Sequence, residues 1–119
     1  QLEALKKEAA YGLPMLLFMH TPLYDPELYR IMGEHGCLGE AAYMVATPEA
    51  LMTGYSEYRY RQQKADAVTL KTVDYIKTQP LIRGIFCGHL HDFVSETRLT
   101  DRITQHVSNF DNVRLVEVE

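Results

Sequence analysis

The chain is short of several features that would exclude or impose a class of protein at once. It has only two cysteines, Cys37 and Cys87, among 119 residues. That is too few for a disulfide framework. No apolar run approaches the roughly 20 residues that span a bilayer as a helix, and no signal-peptide pattern is present. Lysine and arginine total 12 against 16 acidic residues, a net charge of −4. These cations do not cluster, so the sequence carries neither a nucleic-acid footprint nor a docking patch for an anionic membrane. Repeats and low-complexity segments are also absent. An initiator methionine is lacking too. Gln1 opens directly into helix-like sequence, which reads as a piece of a longer protein.

What is present suits one globular domain, residues 1–119. Hydrophobic residues make up 46% of the chain, enough to fill one core at this length. Cys87 reads as a small core residue, and Cys37, in loop-like sequence, as a free thiol. Gln1 to Ala10 has a helical apolar face at Leu2, Leu5 and Ala9. Gly12 and Pro14 then punctuate it, and Met15 to Met19 reads as a buried strand. Asp25-Pro26-Glu27 is a helix start with cap and first-turn proline. Between Pro22 and Lys64 the glycines keep the helices short. Ala65 to Thr78 predicts the clearest helix, with Ala65, Val68, Thr72 and Ile76 on one stripe and Val73 and Tyr75 beside it. Pro80 ends it, and Leu81 to Cys87 predicts the central buried strand. Two helix-then-strand units imply parallel strands joined by right-handed crossovers. Beyond them, Phe93 to Leu99, Ile103 to Val107 and Val113 to Val118 alternate in the manner of an antiparallel meander.

Both buried strands deliver histidine at their C-terminal tips. Met15-Leu16-Leu17-Phe18-Met19 is followed by His20-Thr21-Pro22, and the central strand runs into Gly88-His89-Leu90-His91. In this reading Gly88 lets the backbone turn. His89 and His91, two residues apart in extended chain, face one side. Strand C-termini are where open α/β sheets bind ligands, and neutral imidazole suits manganese, iron and zinc. A lone His-x-His is a weak signal, more often surface histidines than a metal site. The glycine before it, the strand leading to it and His20 strengthen it. His35 lies in a loop context, and His106 in a meander strand, where an ordinary packed or solvent-facing imidazole is the default. Tyr55, Tyr58 and Tyr60, interleaved with Arg59 and Arg61, could contact an anionic substrate. A solvated helix face with packed rings is the simpler account of that patch.

The ordered pair of blocks, strand-His-x-Pro and then strand-Gly-His-x-His, resembles the last two motif blocks of the calcineurin-like metallophosphoesterases. The antiparallel tail after the second block is similar as well. The resemblance extends over essentially the whole chain and implies the C-terminal part of an α/β/β/α sandwich. It further implies a phosphate-ester substrate and two divalent metal ions (Mn, Fe or Zn). His20 and His89 would be ligands of one ion and His91 of the other. The family's earlier blocks, Asp-x-His, Gly-Asp and Gly-Asn-His, do not occur here, and the only asparagines are Asn109 and Asn112. The expectation is therefore the C-terminal half of a phosphoesterase, inactive alone, with its catalytic histidine in the missing half. Apolar faces left by that half would drive self-association. The competing expectation is a complete small α/β binding module with incidental histidines. It would be a monomer without metal affinity.

Overall fold

The computed structural model describes residues 1–90 and 94–117. Its centre is a four-stranded mixed sheet in the order β1-β2-β4-β3. Strands β1 (Met15–Met19), β2 (Ile82–Cys87) and β4 (Thr104–Val107) run parallel, and β3 (Ser95–Arg98) pairs antiparallel with β4. The four α-helices are α1 (Leu2–Ala9), α2 (Pro26–Glu34), α3 (Glu57–Gln63) and α4 (Ala67–Thr78). The two predicted helix–strand units are present as α1–β1 and α4–β2. The strands are parallel neighbours, with Leu17 opposite Ile85 and Met19 opposite Cys87.

Local chemistry sets the element ends. Asp25 accepts a hydrogen bond from the Glu27 amide with Pro26 at the first helical position, which starts α2. Asp66 caps α4 by accepting from the Thr69 amide at 2.7 Å. These bonds satisfy donors that a helix start otherwise leaves orphaned.

One face of the sheet is the core. Leu28 and Met32 from α2, Val73 and Ile76 from α4, and Ile82, Ile85, Ile103 and Val107 from the sheet region form one buried cluster. Leu5 packs against it from α1. The predicted α4 stripe holds at Ala65 and Ile76 but not along its whole length. Val73 and Ile76 are buried, whereas Val68 is 75% exposed. Val68 instead lines a surface groove shared with Leu2 of α1. A 3.6-residue period fixes which residues share a face, but not which part of that face its neighbours reach.

The other face stays open. Phe18, on edge strand β1, is 78% exposed and stacks on Phe86 at 5.2 Å. Phe86 in turn stacks on His106 at 4.7 Å with planes 8° apart.

The C-terminal meander is only half realised. β3 and β4 form the expected hairpin, but β4 inserts against β2 in parallel. Residues 113–117 form no strand, although Val113 to Val118 alternates. Instead Arg114 reaches back to the sheet, donating to Glu96 at 3.0 Å and to the Ser95 carbonyl at 3.2 Å. Val113 and Leu115 lie fully exposed beside it, at 97% and 100%. Alternation marks a strand only where one set of side chains gains burial, and here Val113 and Leu115 gain none while only Arg114 of the other set turns inward.

Candidate functional site

The strand tips place two of the three expected histidines together. β1 and β2 end in register at Met19 and Cys87. One residue further on, the Gly88 amide donates to the His20 carbonyl at 3.1 Å. The paired backbones thus launch His20 and His89 from neighbouring positions. His20 Nε2 lies 3.0 Å from His89 Nδ1, across 69 residues of sequence. The rings meet edge to face, 4.9 Å between centroids and 87° between planes. His91 lies outside the described residues.

The turn that aims His89 differs from the expectation. Positive φ falls on His89 itself, at 68°, and not on Gly88. The Leu90 amide donates to the Gly88 carbonyl at 2.8 Å, closing a three-residue turn centred on His89. A positive φ at the centre of such a turn belongs to its rare, strained form. Histidine tolerates it better than most side chains, but a residue held there signals a constraint imposed by its surroundings. A Cβ at position 88 would meet only the His20 carbonyl oxygen, at 4.0 Å. Space at Gly88 is therefore not what the turn requires.

His20 is held from its C-terminal side. The segment leaving it is clamped by buried Gln105, whose side chain accepts from the Leu23 amide at 2.9 Å and donates to the Leu23 carbonyl at 3.0 Å. A second bracket comes from Val45, which donates to the Pro22 carbonyl and accepts from the Tyr24 amide. The tip of β1 is thus fixed to the core before any ligand is considered, and the bond from the Gly88 amide to the His20 carbonyl ties the tip of β2 to it.

The walls come from residues 108–110 and from the stretch between Pro22 and Lys64, where the arginine- and tyrosine-rich patch lies. On one side a cavity of about 300 Å³ is lined by His20, Gly88, His89, Ser108, Asn109 and Phe110. On another, the Tyr43 ring lies 4.5 Å from the His89 ring, tilted by 48°. The Arg59 guanidinium sits over Tyr43 at 5.2 Å. Tyr43 follows a short 3-10 turn and belongs to no periodic pattern, so only the fold reveals its position.

The tyrosine- and arginine-rich patch divides in two. Arg61 pairs with Glu57 along the helix, Tyr60 donates to Glu49 at 2.7 Å, and Tyr58 is 68% exposed. Those residues are a solvated surface. Burial pushes the Tyr55 hydroxyl up to about 12, which keeps it neutral. Arg59 alone among them reaches the neighbourhood of the histidines.

The remaining titratable candidates stand elsewhere. His35 is exposed, with Nδ1 2.9 Å from the Ile31 carbonyl at the end of α2. His106 lies on the open sheet face. Cys87 is buried under the sheet and its thiol is pushed up to about 12 by desolvation, so it is no nucleophile at neutral pH.

The donor set can be tested against a metal ion. Metal–imidazole bonds of about 2.0–2.1 Å at adjacent coordination positions require nitrogens roughly 2.9–3.4 Å apart. The 3.0 Å separation of His20 Nε2 and His89 Nδ1 meets that requirement. Among the described residues, no group of three His, Cys, Asp or Glu side chains converges. The pair therefore offers two ligands, and further donors must come from elsewhere. No protein-family model, curated protein or solved structure matches the chain.

Proposed function

We propose that this chain contributes the His20 and His89 side of a binuclear metal site that hydrolyses phosphate esters. In this reading it is the C-terminal portion of a metallophosphoesterase α/β/β/α sandwich. The observation that carries the reading is the meeting of two strand-tip imidazoles at 3.0 Å. An incidental pair of surface histidines has no reason to be launched from adjacent parallel strands, and none to hold positive φ at one member. His20 and His89 would hold one divalent ion (Mn, Fe or Zn), and His91 would serve the second. When bound, such ions polarise a phosphate ester and make water nucleophilic near neutral pH.

The chain's own part in the chemistry is positional. Gln105 fixes the segment that follows His20, and the turn at Leu90 fixes His89. The two imidazoles meet nitrogen to nitrogen at 3.0 Å, and that hydrogen bond holds the rings side by side where an ion would take the place of its proton, so part of the entropy of assembling a site is already spent. The cavity beside Ser108, Asn109 and Phe110 offers space for the ester's leaving group. Catalysis would also need donors that this sequence does not contain, so little turnover is expected from these residues alone.

The test is replacement of His89 by Ala in the full-length gene product, assayed with a chromogenic phosphodiester and manganese. The expected result is loss of about 100-fold or more in kcat/KM, the scale set by removing a group that orients the reacting atoms. Unchanged turnover would remove His89 from the site and the phosphoesterase reading with it.

A further inference from the structure

We infer that Arg59, seated on the Tyr43 ring, is the oxyanion-binding residue of this site. It would grip a phosphoryl group of the substrate brought to His20 and His89. The inference rests on the phosphoesterase reading and narrows the tyrosine- and arginine-rich patch of the sequence to one residue.

The argument begins in α3. Gln63 and Arg59 are one helical turn apart and share a face. Gln63 is completely buried and donates to the Glu40 carbonyl at 3.1 Å, while its backbone carbonyl accepts from the Thr47 amide at 2.9 Å. This pins the strip of chain between Glu40 and Thr47 against α3. Tyr43 sits in that strip, and Arg59 descends on it from the previous turn. The stack of guanidinium, phenol ring and imidazole therefore follows from how α3 is anchored. It is not a chance surface conformer.

The guanidinium keeps donors to spare. Among the described residues its side chain makes one hydrogen bond, a weak contact from Nη1 to the Gln62 side-chain oxygen at 3.3 Å. Among the described residues no carboxylate forms an ion pair with it, in contrast to Arg30, Arg61 and Arg114. Glu40 interacts with it electrostatically, but that carboxylate is hydrogen-bonded elsewhere. Its Oε2 accepts from both the amide and the hydroxyl of Ser56 at 2.9 Å. A planar cation set over the Tyr43 ring at 5.2 Å, with unspent N–H donors and one ring's remove from a histidine pair, suits an oxyanion. The fork matches two phosphate oxygens at once. Holding the group on Tyr43 lowers the rotamer entropy that a bound anion would otherwise have to remove.

Two sources could provide the oxyanion: the scissile phosphoryl itself or a second phosphate on the same substrate. Two metal-free probes separate them. Phenylphosphonate carries one group, and methylenediphosphonate carries two. Each is titrated into the full chain while the Arg59 Nε–H and the Tyr43 ring signals are followed by NMR.

Both probes should shift the two signals at saturation. Arg59→Gln should weaken binding about tenfold or more, the scale of losing a charged hydrogen bond. Arg59→Lys should recover part of that loss and not all of it. A methylenediphosphonate affinity well above that of phenylphosphonate assigns Arg59 to a second phosphate. Equal affinities assign it to the scissile one. No shift in the wild-type chain overturns the inference, and so does an Arg59→Gln variant of wild-type affinity with a dispersed amide spectrum. Manganese broadening of the His20 and His89 ring signals is measured on the same samples. Its absence defeats the metal reading separately, whatever Arg59 does.

Discussion

Gln105 and Leu23 face each other across 82 residues of sequence, and both polar atoms of the Gln105 amide are spent on the Leu23 backbone. Both residues are at most 2% exposed. The side chain thus does the work of a strand neighbour for a stretch of chain that has left the sheet. Gln105→Leu is expected to destabilise the fold by about 2–4 kcal/mol, because it strands a buried amide and a buried carbonyl together. Urea unfolding monitored by circular dichroism measures it. A loss under about 0.5 kcal/mol, within the range of an ordinary surface change, would show that water reaches Leu23 in the variant.

His89 gives a sharper test because two substitutions share the same loss of side chain. His89→Ala and His89→Gly both remove the ring that packs on Tyr43 and His20. Only alanine must still carry a Cβ through φ of 68°. The glycine variant should therefore be the more stable of the two by about 1 kcal/mol. This reverses the usual order, in which glycine costs stability. Thermal melts of both proteins provide the comparison. An alanine variant equal to or above the glycine variant would mean that the turn relaxes once the imidazole is gone.

Much of this site could be read before any coordinates. His20 and His89 each follow an apolar run that must be buried, and parallel pairing of two such runs puts their ends side by side. Tyr43 and Arg59 were not legible as partners, because what joins them is Gln63, a polar residue whose burial no periodicity announces. Val113 to Val118 failed for the complementary reason. Its alternation is real, but the sheet edge at β3 is engaged by Arg114 and residues 113–117 have no strand to lie against. The turn falls on His89 although the sequence points to Gly88, since glycine is the ordinary carrier of positive φ and sequence cannot show that a histidine has been forced into it.

A pH dependence follows from the open face. Arg114 Nη1 lies 3.2 Å from His106 Nδ1 and must be the donor, so Nδ1 carries a lone pair. Glu96 Oε2 is 3.3 Å from the same nitrogen, but an arginine donating to Nδ1 and to Glu96 leaves His106 neutral. Burial, with Arg114 adding to it and Glu96 opposing, holds the His106 pKa below the ordinary histidine value. Between that lowered value and about 6.5, the unfolded chain binds the proton and the folded chain does not. Stability must then rise with pH across this window and fall as pH drops through it. The His106→Asn variant should lack this slope. Subtracting its unfolding free energies from the wild-type values between pH 5 and 7 should leave a positive slope below about 1.4 kcal/mol per unit, the limit for one proton. A flat difference would place His106 outside the linkage.

The open face also bears on whether the chain stands alone. Phe18 is 78% exposed on edge strand β1, its ring continues a stack through Phe86 to His106, and Leu16 lies two residues before it on the same strand. Exposed aromatic surface next to an edge strand favours association, because a second chain can bury the rings and pair with unpaired backbone. If this is a portion of a two-sheet phosphoesterase, the isolated chain should sediment as a dimer or larger species at tens of micromolar. Phe18→Glu should shift it toward monomer, since it places a charge where apolar contact would form. The substitution should leave the fold intact, as Phe18 belongs to no part of the buried cluster. A wild-type chain that sediments as a single monomer across that concentration range would instead favour a self-sufficient binding module. Such a module would have to tolerate the open face as it stands.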